Sequence, residues 1–183
     1  MNKRQLFASA LLATTLLGGC STYRYYGSGI EDDDLVEVSY DAVNQLLANL
    51  QQPLPRGSLV VINSLVNVDD LAQTLAFGRI VSDQLSSAMH QAGYRVTGME
   101  LPTEIFAKND AGILELPEKT KAALNDMHAN ALVIGTYAAG RENVYVSLRV
   151  VDIATQNIIS STDYSVPMGP DTKRLATLPP AKE

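Results

Sequence analysis

The 183-residue chain holds one cysteine, no tryptophan, three phenylalanines and two histidines. One thiol cannot close an internal disulfide or assemble a cysteine-based zinc site, and two histidines leave little material for acid–base chemistry. The charge balance is acidic, 14 Lys and Arg against 20 Asp and Glu, for a formal net charge of −6. Nucleic acid calls for a basic face that displaces phosphate counterions, so no nucleic-acid partner is expected. No apolar run approaches the roughly 20 residues of a helical membrane span. There is no Gly-x-Gly-x-x-Gly or Walker loop to cradle phosphate, and no Gly-x-Ser-x-Gly elbow to present a nucleophile. Apolar residues still make up 46% of the chain, an ordinary globular share, and the length suits one domain.

The position of the single cysteine is informative. Asn2-Lys3-Arg4-Gln5 is a short basic head, Leu6 to Leu17 carries no charge, and Gly18-Gly19 precedes Cys20. This is the pattern of a secretory signal, and twelve residues rise only about 18 Å as a helix, too short to span a bilayer. Leu17-Gly18-Gly19-Cys20 also resembles the bacterial lipobox, which implies cleavage between Gly19 and Cys20 and lipidation of Cys20, palmitate included. Several acyl chains make an effectively permanent anchor. Loss of residues 1–19 removes Lys3 and Arg4 and no acid, so the formal charge moves from −6 to −8. Ser21, where inner-membrane retention wants Asp, implies the outer membrane with the domain facing the periplasm.

Residues 20–33 read as a lipidated tether, with Gly27-Ser28-Gly29 of flexible composition and a four-acid run, Glu31 to Asp34. Contiguous acids point in different directions, so the run suits a solvated helix start better than a calcium loop. Tyr23, Tyr25 and Tyr26 suit either the lipid headgroups or the surface of the domain.

From residue 34 to 167 the pattern predicts one compact α/β domain. A helix is expected from about Asp34 to Asn49, with Val36, Val43, Leu46, Leu47 and Leu50 on one stripe. Leu59-Val60-Val61-Ile62 and Ala131-Leu132-Val133-Ile134 are continuous apolar runs, as in strands covered on both faces. A long helix is expected from about Leu71 to Ala92, with Asp69-Asp70 at its start and Gly93 at its end. A short strand follows over Gly93–Val96, a connection over Pro102–Asp110, and a third helix from Pro117 to about His128. Val144, Val146, Leu148 and Val150 alternate with polar residues, a half-exposed strand, and the pattern slips at Val151, which predicts a bulge. A turn at Ala154–Asn157 leads to a last strand over Ile158–Val166, and four prolines and a glycine from Pro167 onward make residues 168–183 a disordered tail. The fold class is therefore α/β: a mixed sheet with alternating helices, closed by an antiparallel meander.

No set of residues converges on a reaction, so neither an enzyme nor a cofactor or metal site is expected. His90 and His128 read as helix-end residues, Asp69 and Asp70 as caps, and Arg79 and Arg95 as partners of surface acids. A polar pocket lined by Arg79, Arg95 or His90 would instead mark a small-ligand site.

Val60-Val61-Ile62-Asn63-Ser64-Leu65-Val66-Asn67-Val68-Asp69-Asp70-Leu71, Phe77-Gly78-Arg79-Ile80-Val81-Ser82-Asp83-Gln84-Leu85, Gln91 to Val96, Ala131 to Tyr137 and Val144 to Asp152 occur in this order. Over about residues 40–166 the chain resembles the FlgO-like domain of outer-membrane lipoproteins. The resemblance implies a fold related to the TolB amino-terminal domain. It also implies a non-catalytic envelope protein with protein partners, an accessory of the flagellar basal body that supports motility. The alternative is a regulator of an envelope enzyme such as a peptidoglycan synthase, or a general envelope-integrity lipoprotein. Within the motif, Phe77, Gly78 and Arg79 are a candidate partner contact, and the competing role for Gly78 is close helix–sheet packing. At Thr155-Gln156-Asn157, where the family commonly has a Gly, Asn157 is the residue suited to a left-handed conformation.

Overall fold

The computed structural model describes residues 29–103, 105 and 116–178. The expected signal segment, Cys20, tether residues 20–28, most of the Pro102–Asp110 connection and residues 179–183 lie outside these.

Helix α1 is Leu35–Ala48, and Asp34 caps it by accepting the amides of Val36 at 2.9 Å and Glu37 at 3.2 Å. Ala42, Val43 and Leu46 are buried, whereas Val36 is 49% exposed and lies outside the buried stripe. Strands β1 (Leu59–Ile62) and β2 (Val66–Asn67) lead into helix α2 (Ala76–Gln91), then strand β3 (Arg95–Gly98). Helix α3 is Glu118–Asp126, followed by β4 (Ala131–Ala139), β5 (Asn143–Asp152), β6 (Ile158–Pro167) and helix α4 (Pro170–Ala176). The strand order is β3-β1-β4-β5-β6, with β2 paired to β4. β1 runs parallel to β3 and β4, and β4, β5 and β6 form the antiparallel meander.

The continuous apolar runs are explained by two cores. Val60, Ile62, Ala131 and Val133 face α1 and α2, together with Val144, Val146, Leu148 and Val150. Val61, Leu132 and Ile134 face the opposite way, against Leu124 of α3, Ile105, Leu116, Val151 and Ile153. Val150 and Val151 serve different cores by ordinary strand alternation, and the β5–β6 register shifts between them, with the extra residue Ile159 on β6.

Four expectations need correction. Helix α2 begins at Ala76, not Leu71, because the chain from Asn67 to Leu75 finds other partners. The Asn67 amide bonds the Gln73 carbonyl at 3.0 Å, Val68 bonds back to Tyr137 at 2.9 Å, and the Asp70 carboxylate takes the Ala72 amide at 3.1 Å. Asp70 thus shapes a loop rather than capping the helix, whose N-cap Leu75 has no side-chain bond. The tail expected from residue 168 instead contains α4, which packs on α2 and buries Thr172 and Ala176. Pro170 opens that helix, where a missing N–H costs nothing. The acidic run is divided: Asp34 caps α1 and Asp32 caps α4. In the β5–β6 turn the left-handed residue is Gln156, at φ 59°, not Asn157.

Helices α2 and α3 end alike. At α2, the amides of Gly93 and Tyr94 bond the carbonyls of His90 and Met89; at α3, those of His128 and Ala129 bond Asn125 and Leu124. Each is a Schellman motif with a left-handed residue, Gly93 at φ 94° and His128 at φ 56°. His128 therefore serves this fold through its backbone.

Candidate functional site

The Phe77-Gly78-Arg79 motif sits on the first turn of α2, where that helix meets the β1–β2 connection. Phe77 is fully buried, its ring centroid 5.3 Å from that of Tyr137 at an interplanar angle of 55°. A Cβ on Gly78 would overlap the Leu65 carbonyl oxygen and lie 2.9 Å from Tyr137 Cε1. Tyr137 is itself fixed, because its hydroxyl accepts the Leu75 amide at 3.0 Å. Burial raises its phenol pKa, and the Leu75 amide and the Arg79 charge offset this only partly. One turn along, Ser82 Oγ accepts the Leu65 amide at 2.9 Å and donates to the Gly78 carbonyl at 2.8 Å.

The expected contact motif therefore divides. Phe77 and Gly78 are interior residues that seat α2 on the sheet, and Arg79 alone of the three faces solvent. The physical reason is helical geometry: the stripe that buries Phe77, Gly78, Val81, Ser82 and Leu85 turns Arg79 and Ile80 outward.

The remaining polar candidates are scattered. His90 ends α2 and His128 ends α3, both exposed, and Asp69 and Asp70 lie on the exposed loop before α2. Among the described residues no three His, Cys, Asp or Glu side chains gather as metal ligands. No described helix is long and apolar enough to cross a membrane. Cys20, the expected lipidation site, and Gly19, beside the expected cleavage point, lie outside the described residues.

What the sequence pattern did not locate is a partly uncovered sheet face. The α1–α2 side of the sheet is covered along β4, β5 and β6. On the other side, among the described residues, the apolar cover of Leu116, Leu124 and Ile105 reaches Leu132, Ile134 and Val151 but not the far end of the meander. There Thr136, Ala138, Tyr145, Ser147, Asp163 and Ser165 line a cavity of about 450 Å³, with Val68 at its side. Tyr145 is 57% exposed and Val68 52%. The strand alternation around Tyr145 is legible in the sequence; the adjacency of Val68 is not, because it depends on β2 pairing with β4.

A family model described as FlgO protein matches residues 40–171, extending into α4. Among curated proteins, none matches the chain by sequence. Of solved structures, the LpoB C-terminal domain from Salmonella enterica is 14% identical with a TM-score of 0.52, covering 73% of this chain and 98% of that one. The LpoB C-terminal domain from Escherichia coli is 12% identical, also with a TM-score of 0.52 and the same coverage of both chains. At such identities the likeness is one of fold. The family match spans residues 40–171, well over half of the chain, and the chain belongs to the FlgO family.

Proposed function

We propose that this protein is a non-catalytic outer-membrane lipoprotein, anchored through Cys20, whose periplasm-facing domain binds a protein partner of the flagellar basal body. The observation that carries the binding role is the uncovered end of the β4–β6 face, where Tyr145 and Val68 stand exposed beside small residues. Exposed aromatic side chains beside a shallow apolar cavity are what protein interfaces use as anchors. The FlgO family match supports the flagellar assignment.

Asp32 is bonded to α4, so twelve residues separate it from the anchor side, counting Cys20 to Glu31. Fully extended they span at most about 40 Å, shorter than the ~46 Å available to a tether ending at residue 33. The partner is accordingly sought near the outer membrane. The test is cross-linking from envelopes of cells carrying wild type or Tyr145→Asp, paired with a motility assay of the deletion strain. The variant is expected to remain folded and anchored while its principal cross-link disappears, and the deletion to impair motility. Normal motility and normal flagella without the protein would remove the flagellar assignment. Cross-links to a peptidoglycan synthase in that case would establish the regulator of an envelope enzyme instead.

A further inference from the structure

A second, polar crevice lies at the carboxyl ends of the parallel strands. The chain leaving β1 passes to α2 on one face of the sheet, and the chain leaving β3 leads to α3 on the other. Their divergence opens a cavity of about 440 Å³, with Asn63, Ser64, Thr74, Arg79, Glu100 and Thr103 in its lining. Open α/β sheets bind ligands at such switch points, and about 300–1,000 Å³ is the usual range for a small-molecule pocket.

The walls are held in place. Asn63 is only 3% exposed; its Oδ1 accepts the Leu101 amide at 3.0 Å and its Nδ2 donates to the Ser64 carbonyl at 2.7 Å. One side chain thus ties the exits of β1 and β3 together. The Asn67–Gln73 bond steadies the loop above. Arg79 and Glu100 are exposed, and among the described residues neither enters an ion pair; the pair found there is Lys121–Glu118. A guanidinium and a carboxylate in one lining, neither ion-paired among the described residues, match a ligand with one charge of each sign.

We propose that this crevice binds a zwitterion of dipeptide size, its carboxylate on Arg79 and its ammonium on Glu100. The planar guanidinium suits a carboxylate, and a doubly charged phosphate would face repulsion from Glu100.

Titration calorimetry on the full-length chain in detergent micelles tests this, with L-alanyl-L-alanine and D-alanyl-D-alanine as probes. At least one enantiomer is expected to bind with Kd below about 1 mM. N-acetyl-alanyl-alanine amide should bind at least about tenfold more weakly, as should either probe to Arg79→Gln or Glu100→Gln at unchanged melting temperature. No heat from either dipeptide up to about 10 mM overturns the proposal. So does equal binding by the blocked peptide or by both variants, or tighter binding of inorganic phosphate or glycerophosphoethanolamine. Tyr145 is not part of this lining, so loss of the protein partner and loss of the dipeptide are separate results.

Discussion

The Asp32 carboxylate accepts the Thr172 amide at 2.9 Å, joining the segment that enters the domain to the helix that leaves it. The Asp171 amide adds a second bond at 2.9 Å, and Gly169 leaves the space, since a Cβ there would come within 2.5 Å of Asp32. Partial burial pushes this carboxyl upward, but the bonds from Asp171 and Thr172 outweigh it and hold its pKa below the ordinary 3.8. A carboxylate that binds protons less readily when folded stabilises the fold above the unfolded value; that contribution disappears as pH falls through the lower folded value. Asp32→Ala is therefore expected to speed hydrogen exchange at Asp171 and Thr172 near neutral pH and to flatten the stability loss below about pH 4. Unchanged exchange at both amides would show that the clasp does not hold α4.

Gly78 poses a contest between helix propensity and space. Alanine at an interior helical position gains about 1 kcal/mol over glycine. Here its methyl would strike the Leu65 carbonyl, and a backbone atom within a buried strand connection cannot move aside cheaply. Overpacking costs typically about 1–3 kcal/mol, so Gly78→Ala should be destabilising by up to about 2 kcal/mol net. The urea midpoint measures this, and a rise in stability would refute the close packing.

Ser82 and Ser87 both donate to the carbonyl four residues back, but only Ser82 also accepts a buried amide, that of Leu65. Ser82→Ala leaves that amide without a partner, at a cost of about 1–3 kcal/mol. Ser87→Ala, on the exposed face, should remain within about 0.5 kcal/mol of wild type. Equal effects in chemical denaturation would mean that Ser82 does not pin α2 to the β1–β2 connection.

Among the described residues the buried Tyr164 hydroxyl finds no hydrogen-bond partner. Ser39 stands nearby, but its hydroxyl donates to Gln84 Oε1 at 2.8 Å. Burial pushes the phenol pKa far up, with Ser39 offsetting only a small part. Tyr164→Phe removes a desolvated polar atom and should be neutral or stabilising by up to about 1 kcal/mol. The folded state keeps this proton where the unfolded chain would lose it, so stability present below about pH 10 declines as pH rises further. Tyr164→Phe should reduce that alkaline decline in pH-dependent melting. A marked loss of stability at neutral pH would reveal a hydrogen bond the geometry does not contain.

Much of the core was legible because burial periodicity is a local property. Val60 to Ile62 and Ala131 to Ile134 read as strands covered on both sides, and each divides its alternate side chains between the two cores. The slip at Val151 read as a bulge, and the register shifts there. The start of α2 misled because acidic residues before an apolar stripe resemble a cap, while a Tyr137 hydroxyl 62 residues away was taking the Leu75 amide. Proline content concealed α4 because its support comes from Asp32, 140 residues back from Thr172.

The sequence by itself determined the family, the α/β class, the buried strands and the expectation of an anchor at Cys20, since each is written in local pattern and motif. Only the tertiary structure decided that Phe77 and Gly78 lie inside, that Val68 stands exposed beside Tyr145 at the far end of the meander, and that Arg79 and Glu100 line one crevice. Those outcomes depend on which distant backbone groups satisfy one another, and a buried amide takes the partner that the completed fold brings to it.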